Sequence, residues 1–346
     1  MDVKVLKAIG SGLVTFLAIF GNVLVISAVW LVPRMKTVTN YLIINMSVSD
    51  VLYIIIAMPP LYIEIFDLHQ WVSSSYGQAV YLCKVPNASQ YLLITASVLT
   101  LACIAADRFF AIILPLRKVF TTKVFHVIVP VIWIIAAGVG APALYAFKVV
   151  YEEGFGFFCV EDWTPSFDTN TASVVYTAVL FSVAYFVPFL SITVMYTIIC
   201  RRLWTRKILK KRHKKQYQKA LESRKKVVKM LITVVVAFTI CWLPFQIATF
   251  VWHSGINISN TADFICKLLM RVHTCTSPII YAVFSENYRR GFKMALKCYC
   301  YRKKSRSKGM RKQSLRMTLS TRRSYHPKSR DNTADDLLRS DQTKQM

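Results

Sequence analysis

The chain has 346 residues, 55% of them hydrophobic, yet it carries a formal net charge of +27. An ordinary soluble domain is excluded, because the apolar and basic residues must occupy different places. No metal-ligand cluster, nucleotide loop or nucleophile-and-base pair stands out, so neither an enzyme nor a nucleic-acid partner is expected.

Apolar runs of the ~20 residues needed to cross a bilayer as a helix recur at roughly 7–32, 38–66, 80–114, 124–147, 171–204, 225–253 and 261–284. The expected fold class is an all-α membrane protein, a seven-transmembrane helix bundle over residues 7–284. Several runs contain Pro or Gly, which packed membrane helices accommodate. The first run is full length and lacks a small-residue cleavage site, so it reads as a span, with residues 1–6 a short outside segment. Arg34 and Lys36 follow the first span, Arg117, Lys118 and Lys123 the third, and a dense basic stretch from Arg201 to Lys229 the fifth. The loops after the second and fourth spans instead hold Asp67, Glu152, Glu153, Glu161, Asp162 and Asp168, against Lys148. Short basic loops stay cytoplasmic, which predicts a multi-pass plasma-membrane protein with its N-terminus outside and its tail inside. Of nine Cys, Cys83 and Cys159 both fall on the oxidising face and favour a disulfide. Cys266, near the same surface, leaves the pairing open.

Polar groups inside a membrane are costly and default to functional or packing roles. In chain order the spans contain Gly21-Asn22, Asn45 to Asp50, Asp107-Arg108-Phe109, Trp133, Pro188 with Tyr196, Phe238 to Pro244 with Trp242 between, and Ser277-Pro278-Ile279-Ile280-Tyr281. In this order they resemble the landmarks of rhodopsin-like G-protein-coupled receptors, and the resemblance runs from Gly21 to Phe292. Three departures stand out. Phe109 replaces a Tyr, Ser277 replaces an Asn, and Arg224 stands where the sixth span often has an acid.

The resemblance pairs Cys83 with Cys159, which tethers an outer hairpin with a tight turn at Gly154-Phe155-Gly156. It implies an activation switch of Asp107, Arg108, Tyr196, Phe238, Trp242, Pro244, Pro278 and Tyr281. Arg108 would pair with Asp107 at rest and engage a heterotrimeric G protein when active. Arg224 would repel Arg108, which predicts basal signalling. Arrestin and a receptor kinase are the implied later partners. Asp50 and Ser97 match two members of the family's internal sodium site, with His273 where an Asn is common; a sodium ion as allosteric modulator and hydrogen bonding within the bundle are the alternatives. No other cofactor is implied.

Ligand class follows from three positions. Arg271 stands where opsins hold retinal on a Lys, and arginine forms no such imine. Gln90 stands where amine receptors have an Asp, and is similar to what receptors for RFamide, neuropeptide Y and galanin-type peptides carry. The outer acids Glu64, Asp67, Glu152, Glu153, Glu161, Asp162 and Asp263 form a negative rim that suits a cationic ligand. A short basic neuropeptide is the expected ligand, gripped by Glu64 and Asp263, with Lys267 also at the mouth and Gln90, Tyr91, Trp242, Phe245 and Thr249 as floor and wall. The aromatic residues Tyr151, Phe155, Phe157, Phe158 and Trp163 are expected to act mostly as a lid. The alternatives are a small non-peptide ligand (an amine, a melatonin-like compound or a lipid), an opsin-like protein, and a transporter, for which no repeat symmetry is visible.

Residues 285–297 resemble the family's short amphipathic inner-leaflet helix, followed by Cys298 and Cys300 at a palmitoylation position. The tail 298–346 is expected to be disordered, with Ser314, Thr318, Ser320, Thr321 and Ser324 as phosphorylation candidates. Basic inner residues would contact membrane lipids. Of two Asn-x-Ser sequons, Asn87 falls inside a span and Asn257 in an outer loop open to glycosylation.

Overall fold

The computed structural model describes residues 2–66, 75–117, 119–153, 156–205, 214–253 and 255–297. Helix α1 spans Val3–Leu31, α2 Val38–Phe66, α3 Tyr76–Ile113 and α4 Thr122–Ala146. Strands β1 (Phe147–Glu152) and β2 (Gly156–Glu161) form an antiparallel hairpin. Helix α5 runs from Thr169–Phe181 through a π-turn at Ser182–Phe186 into Val187–Thr205. Helices α6 (Lys214–His253) and α7 (Asn260–Phe284) follow, and residues 286–297 form a further helix, α8. By compactness residues 1–295 form one unit and 296–346 another. Asp67, Lys118, Phe155, Cys298, Cys300 and the five tail hydroxyls lie outside the described residues.

Helix starts follow local chemistry. Ser75, Thr121, Asp168 and Ser259 each accept a hydrogen bond from a backbone amide in the first turn of α3, α4, α5 and α7, supplying partners that helix geometry leaves missing. Asp2 does the same for Lys4 at 3.1 Å, so α1 begins at Val3 and the expected outside segment 1–6 is largely helical. The π-turn in α5 sits directly before Pro188, where the missing proline amide forces the ladder to adjust.

Contacts run α1 to α2, α2 to α3, α3 to α4 and α5, α5 to α6, α6 to α7, and α7 back to α1, closing a ring. The hairpin packs on α3 and α4 at one end, hereafter the hairpin end; Arg108 lies at the opposite, arginine end. The ring is turned inside out relative to a soluble fold. Phe16, Ile134, Val187, Ile240 and Val283 are exposed on its perimeter, whereas Asn22, Ser47, Asp50, Thr100 and Thr274 are buried within it. That arrangement suits an apolar surround. Among the described residues, six helices are long and apolar enough to cross a membrane. The seventh, α7, has 25 residues but carries Asp263, Lys267, Arg271 and His273, which lower its apolarity.

Buried polar groups tie the ring together. Asn45 donates to Thr100 Oγ1 at 2.9 Å and accepts from Trp133 Nε1 at 3.0 Å, joining α2, α3 and α4. Asn22 Nδ2 donates at 2.8 Å to the carbonyl of Thr274. That carbonyl lies four residues before Pro278, which has no N–H to offer it; α1 thus supplies the hydrogen bond that α7 lacks. A side chain at Gly21 would put its Cβ 2.8 Å from Pro278 Cβ, so the adjacent glycine is what lets α1 approach.

Helix α8 is anchored in the same way. Tyr288 stacks on Tyr281 with ring centroids 4.9 Å apart and donates to Asn40 Oδ1 at 3.1 Å. A Cβ at Gly291 would fall 2.4 Å from Ala28 Cβ, whereas one at Gly138 meets nothing within 4 Å. Gly291→Val is therefore expected to destabilise the protein by about 1–3 kcal/mol through overpacking, read as a lower melting temperature in detergent, with Gly138→Val unchanged.

Candidate ligand-binding and signalling site

A cavity of about 80 Å³ opens within the bundle, lined by Gln90, Tyr91, Trp242, Phe245, Gln246 and Thr249 among others. The helix period brings these together. Gln90, Tyr91 and Ile94 share one face of α3; Trp242, Phe245, Gln246 and Thr249 share one face of α6. All five residues expected as floor and wall meet here, and Gln246, one turn above Trp242, joins them. Trp242 is 3% exposed and its Nε1 has no hydrogen-bond partner among the described residues. It stacks on Phe238 with centroids 5.7 Å apart and lies 5.6 Å from the His273 ring. His273 Nε2 in turn lies 3.9 Å from Asp50 Oδ1, which accepts from Ser97 at 3.2 Å.

Glu64, Asp263 and Lys267 form a separate cluster at the hairpin end. Lys267 Nζ is 2.7 Å from Asp263 Oδ2 and 3.7 Å from Glu64 Oε1. Asp263, expected as a grip for a ligand cation, lies four residues from Lys267 on one helix face and is ion-paired to it in this structure. One turn further in, Arg271 is 7% exposed and donates to the Lys267 carbonyl at 2.9 Å.

The hairpin carries Gly156 at φ 94°, a conformation glycine adopts without penalty, paired with Glu152 across the turn. A disulfide joins Cys83 to Cys159. Two acids of the expected rim, Glu161 and Asp162, are bound inside this loop. Glu161 accepts from Trp163 Nε1 at 2.8 Å. Asp162 accepts from Lys148 Nζ at 2.7 Å, from the amide and hydroxyl of Thr164 at 2.9 Å each, and from Thr169 at 3.0 Å. Asp168 caps α5. Glu64, Glu152 and Glu153 remain exposed. Trp163 is buried against Tyr176, so it is packing of the loop base.

The Lys148 ammonium, then the Thr164 amide and hydroxyl, hold the Asp162 carboxyl well below its ordinary 3.8. A depressed folded-state value means that the stabilisation is full above the unfolded value and is lost as pH falls through the folded one. The hold of Asp162 on the loop is therefore expected to stay constant from about pH 8 to 5 and to be lost only well below about pH 4, whereas Asp162→Asn loosens the loop at neutral pH, read as faster proteolysis between the hairpin and α5.

At the arginine end, Arg108 Nη2 lies 2.5 Å from Asp107 Oδ2. Thr39 donates to the same carboxylate oxygen at 2.5 Å and also contacts Arg108. Thr39 is 68 residues away from Asp107, and no local pattern announced it. Arg108, Thr39, Asn40, Met230, Leu231 and Tyr288 line a cavity of about 150 Å³. Tyr196 and Tyr281 are buried nearby in the core. Arg224 is exposed. Pro244 and Pro278 lie inside α6 and α7.

A family profile described as 7 transmembrane receptor (rhodopsin family) matches residues 21–281. The chain belongs to that receptor family. It is a receptor and not an enzyme. The receptor is 28% identical to the QRFP-like peptide receptor of Branchiostoma floridae, over 81% of this chain and 74% of that one. It is 27% identical to the pyroglutamylated RF-amide peptide receptor of Mus musculus, over 89% and 73%. It is 31% identical to the Tachykinin-like peptides receptor 99D of Drosophila melanogaster, over 85% of this chain but 57% of that receptor's length.

Proposed function

We propose that the receptor sits in the plasma membrane with the hairpin end outside, binds a short basic peptide there, and activates a heterotrimeric G protein from the arginine end. The observation that carries the ligand class is the distribution of acid. The deep cavity is lined by neutral Gln90, unsuited to a lone ammonium, whereas Glu64 stands exposed at the mouth, where a ligand cation stays partly hydrated. The relatives named above are peptide receptors by name, which supports the same reading. Aromatic and apolar lining with a few polar groups, Trp242 Nε1 among them, suits such a ligand.

The basic loops support the orientation. Under it, α8 lies on the inner leaflet as an amphipathic helix, Cys298 and Cys300 are acylated, the basic inner residues contact membrane lipids, and the Ser and Thr of the tail recruit arrestin after a receptor kinase acts. Asn257, exposed before α7, is then an accessible glycosylation site. We assign Asp50 to hydrogen bonding within the bundle in preference to a sodium site. It accepts a hydrogen bond from the Ser97 hydroxyl and has the His273 imidazole nitrogen 3.9 Å away, and a nitrogen in that place does not suit a hard cation that takes oxygen ligands.

The deciding experiment screens the full chain in cells against short amidated peptides, with monoamines and melatonin as controls, and follows nucleotide exchange on G proteins. Activation by basic peptides alone is expected. A response confined to a monoamine or melatonin overturns the ligand class.

A further inference from the structure

A second cavity, about 260 Å³ in volume, lies at the hairpin end apart from the deep one. Pro60 and Ile63 of α2, Leu82 of α3, and Phe157 and Phe158 of the hairpin line it, with the Cys83–Cys159 disulfide at its wall. Glu64 is its sole ionisable lining residue among those described. The volume falls short of the ~300 Å³ at which pockets begin to hold whole drug-sized ligands. It suits one bulky side chain. Charge specifies what stands next to that side chain. Lys267 lies close to Asp263 at 2.7 Å and stands off Glu64 at 3.7 Å. Two carboxylates share one ammonium, which leaves a single net negative charge, and the looser partner is Glu64, the one that faces the cavity.

We propose that this niche is a second binding compartment: it takes an aromatic side chain of the ligand while Glu64 pairs with the cationic residue next to it, and Asp263 keeps Glu64 available by holding Lys267. The proposal rests on the reading of the chain as a peptide receptor. The ring edges of Phe157 and Phe158 offer an aromatic guest favourable contact, and a cation at the rim gains from the same faces. Asp263 is here a positioning residue. Without it, Lys267 is released to neutralise Glu64 and compete with the ligand.

The test uses the full-length receptor in cells and the amidated tetrapeptide glycyl-glycyl-arginyl-phenylalanine amide, with alanine in place of the phenylalanine or citrulline in place of the arginine. On the unmodified receptor each replacement is expected to weaken activation about 10- to 100-fold. Leu82→Trp, which fills the niche, removes the phenylalanine-to-alanine difference, and Glu64→Gln removes the arginine-to-citrulline difference. Asp263→Asn weakens the arginine peptide about tenfold, and adding Lys267→Met to it restores potency. That restoration is a readout a merely structural Asp263 does not give. Equal surface expression of each variant, and equal response to the alanine peptide at high concentration, verify folding.

A phenylalanine-to-alanine difference that persists at full size in both Leu82→Trp and Phe158→Ala overturns the compartment, whose apolar wall then faces lipid or packs only the hairpin. A double variant no more potent than Asp263→Asn alone overturns the role of Asp263. Activation by a monoamine but by none of the peptides removes the peptide-receptor reading and the compartment with it, whereas peptide activation that ignores the niche variants removes the compartment alone.

Discussion

Replacing Cys83 or Cys159 by Ser is expected to reduce peptide potency at least ~100-fold and to cut the amount of receptor at the cell surface several-fold. The disulfide closes a loop of sequence separation 76, for which the chain-entropy account gives a ceiling of about 4–5 kcal/mol. The real figure is smaller, since a membrane already confines the helices and the hairpin has other ties. Lys84 Nζ donates to the Leu144 carbonyl at 2.6 Å and Lys148 holds Asp162 at 2.7 Å. These keep the base of the loop in place but not the β2 edge, which carries Phe157 and Phe158. Radioligand binding and surface immunodetection on the single and double Cys variants measure the two effects. If a variant binds and is displayed like the parent, the disulfide has no role in shaping the mouth.

Arg108→Ala is expected to abolish agonist-driven nucleotide exchange while leaving peptide binding within about threefold, since Arg108 lies at the end of the bundle away from the ligand. The guanidinium is closed onto Asp107 at 2.5 Å, with Thr39 bridging both. No acid of α6 is salt-bridged to it among the described residues, and Arg224 is exposed. The latch is thus confined to α2 and α3. A hydrogen bond to a charged group contributes about 1.5–3 kcal/mol, so Thr39→Val is expected to raise ligand-free exchange about tenfold or more. Arg224→Glu, which offers Arg108 an attractive partner on α6, is expected to lower it. Exchange measured without ligand on these three variants decides the matter; unchanged basal rates in both Thr39→Val and Arg224→Glu would show that the resting state is set elsewhere.

The helices were legible in the sequence because an apolar run of bilayer length has few other readings, although the sixth begins at Lys214, well before its apolar run. The floor of the deep cavity was legible through the family resemblance, and the helical spacing of Trp242, Phe245 and Thr249 is what brings them to one face. The mouth was read less well. Composition showed that acids outnumber bases there but not what each acid touches, and Glu161, Asp162 and Asp168 proved to be bound to Trp163, Lys148 and the start of α5. Asp263 lies one turn from Lys267, a spacing that itself favours an ion pair on one helix face. Thr39 carried none, because its partner is brought near only by the packing of α2 on α3.

The Asn22 side chain donates at 2.8 Å to the Thr274 carbonyl, one turn before Pro278. A proline normally leaves a weak point whose stiffness is internal to its own helix. Here the stiffness is set by a neighbour, so α7 cannot bend at Pro278 without either straining or releasing α1, and α1 cannot slide without altering the bend. Docking of one helix and flexure of the other are a single mechanical coordinate, with its fulcrum at one amide group.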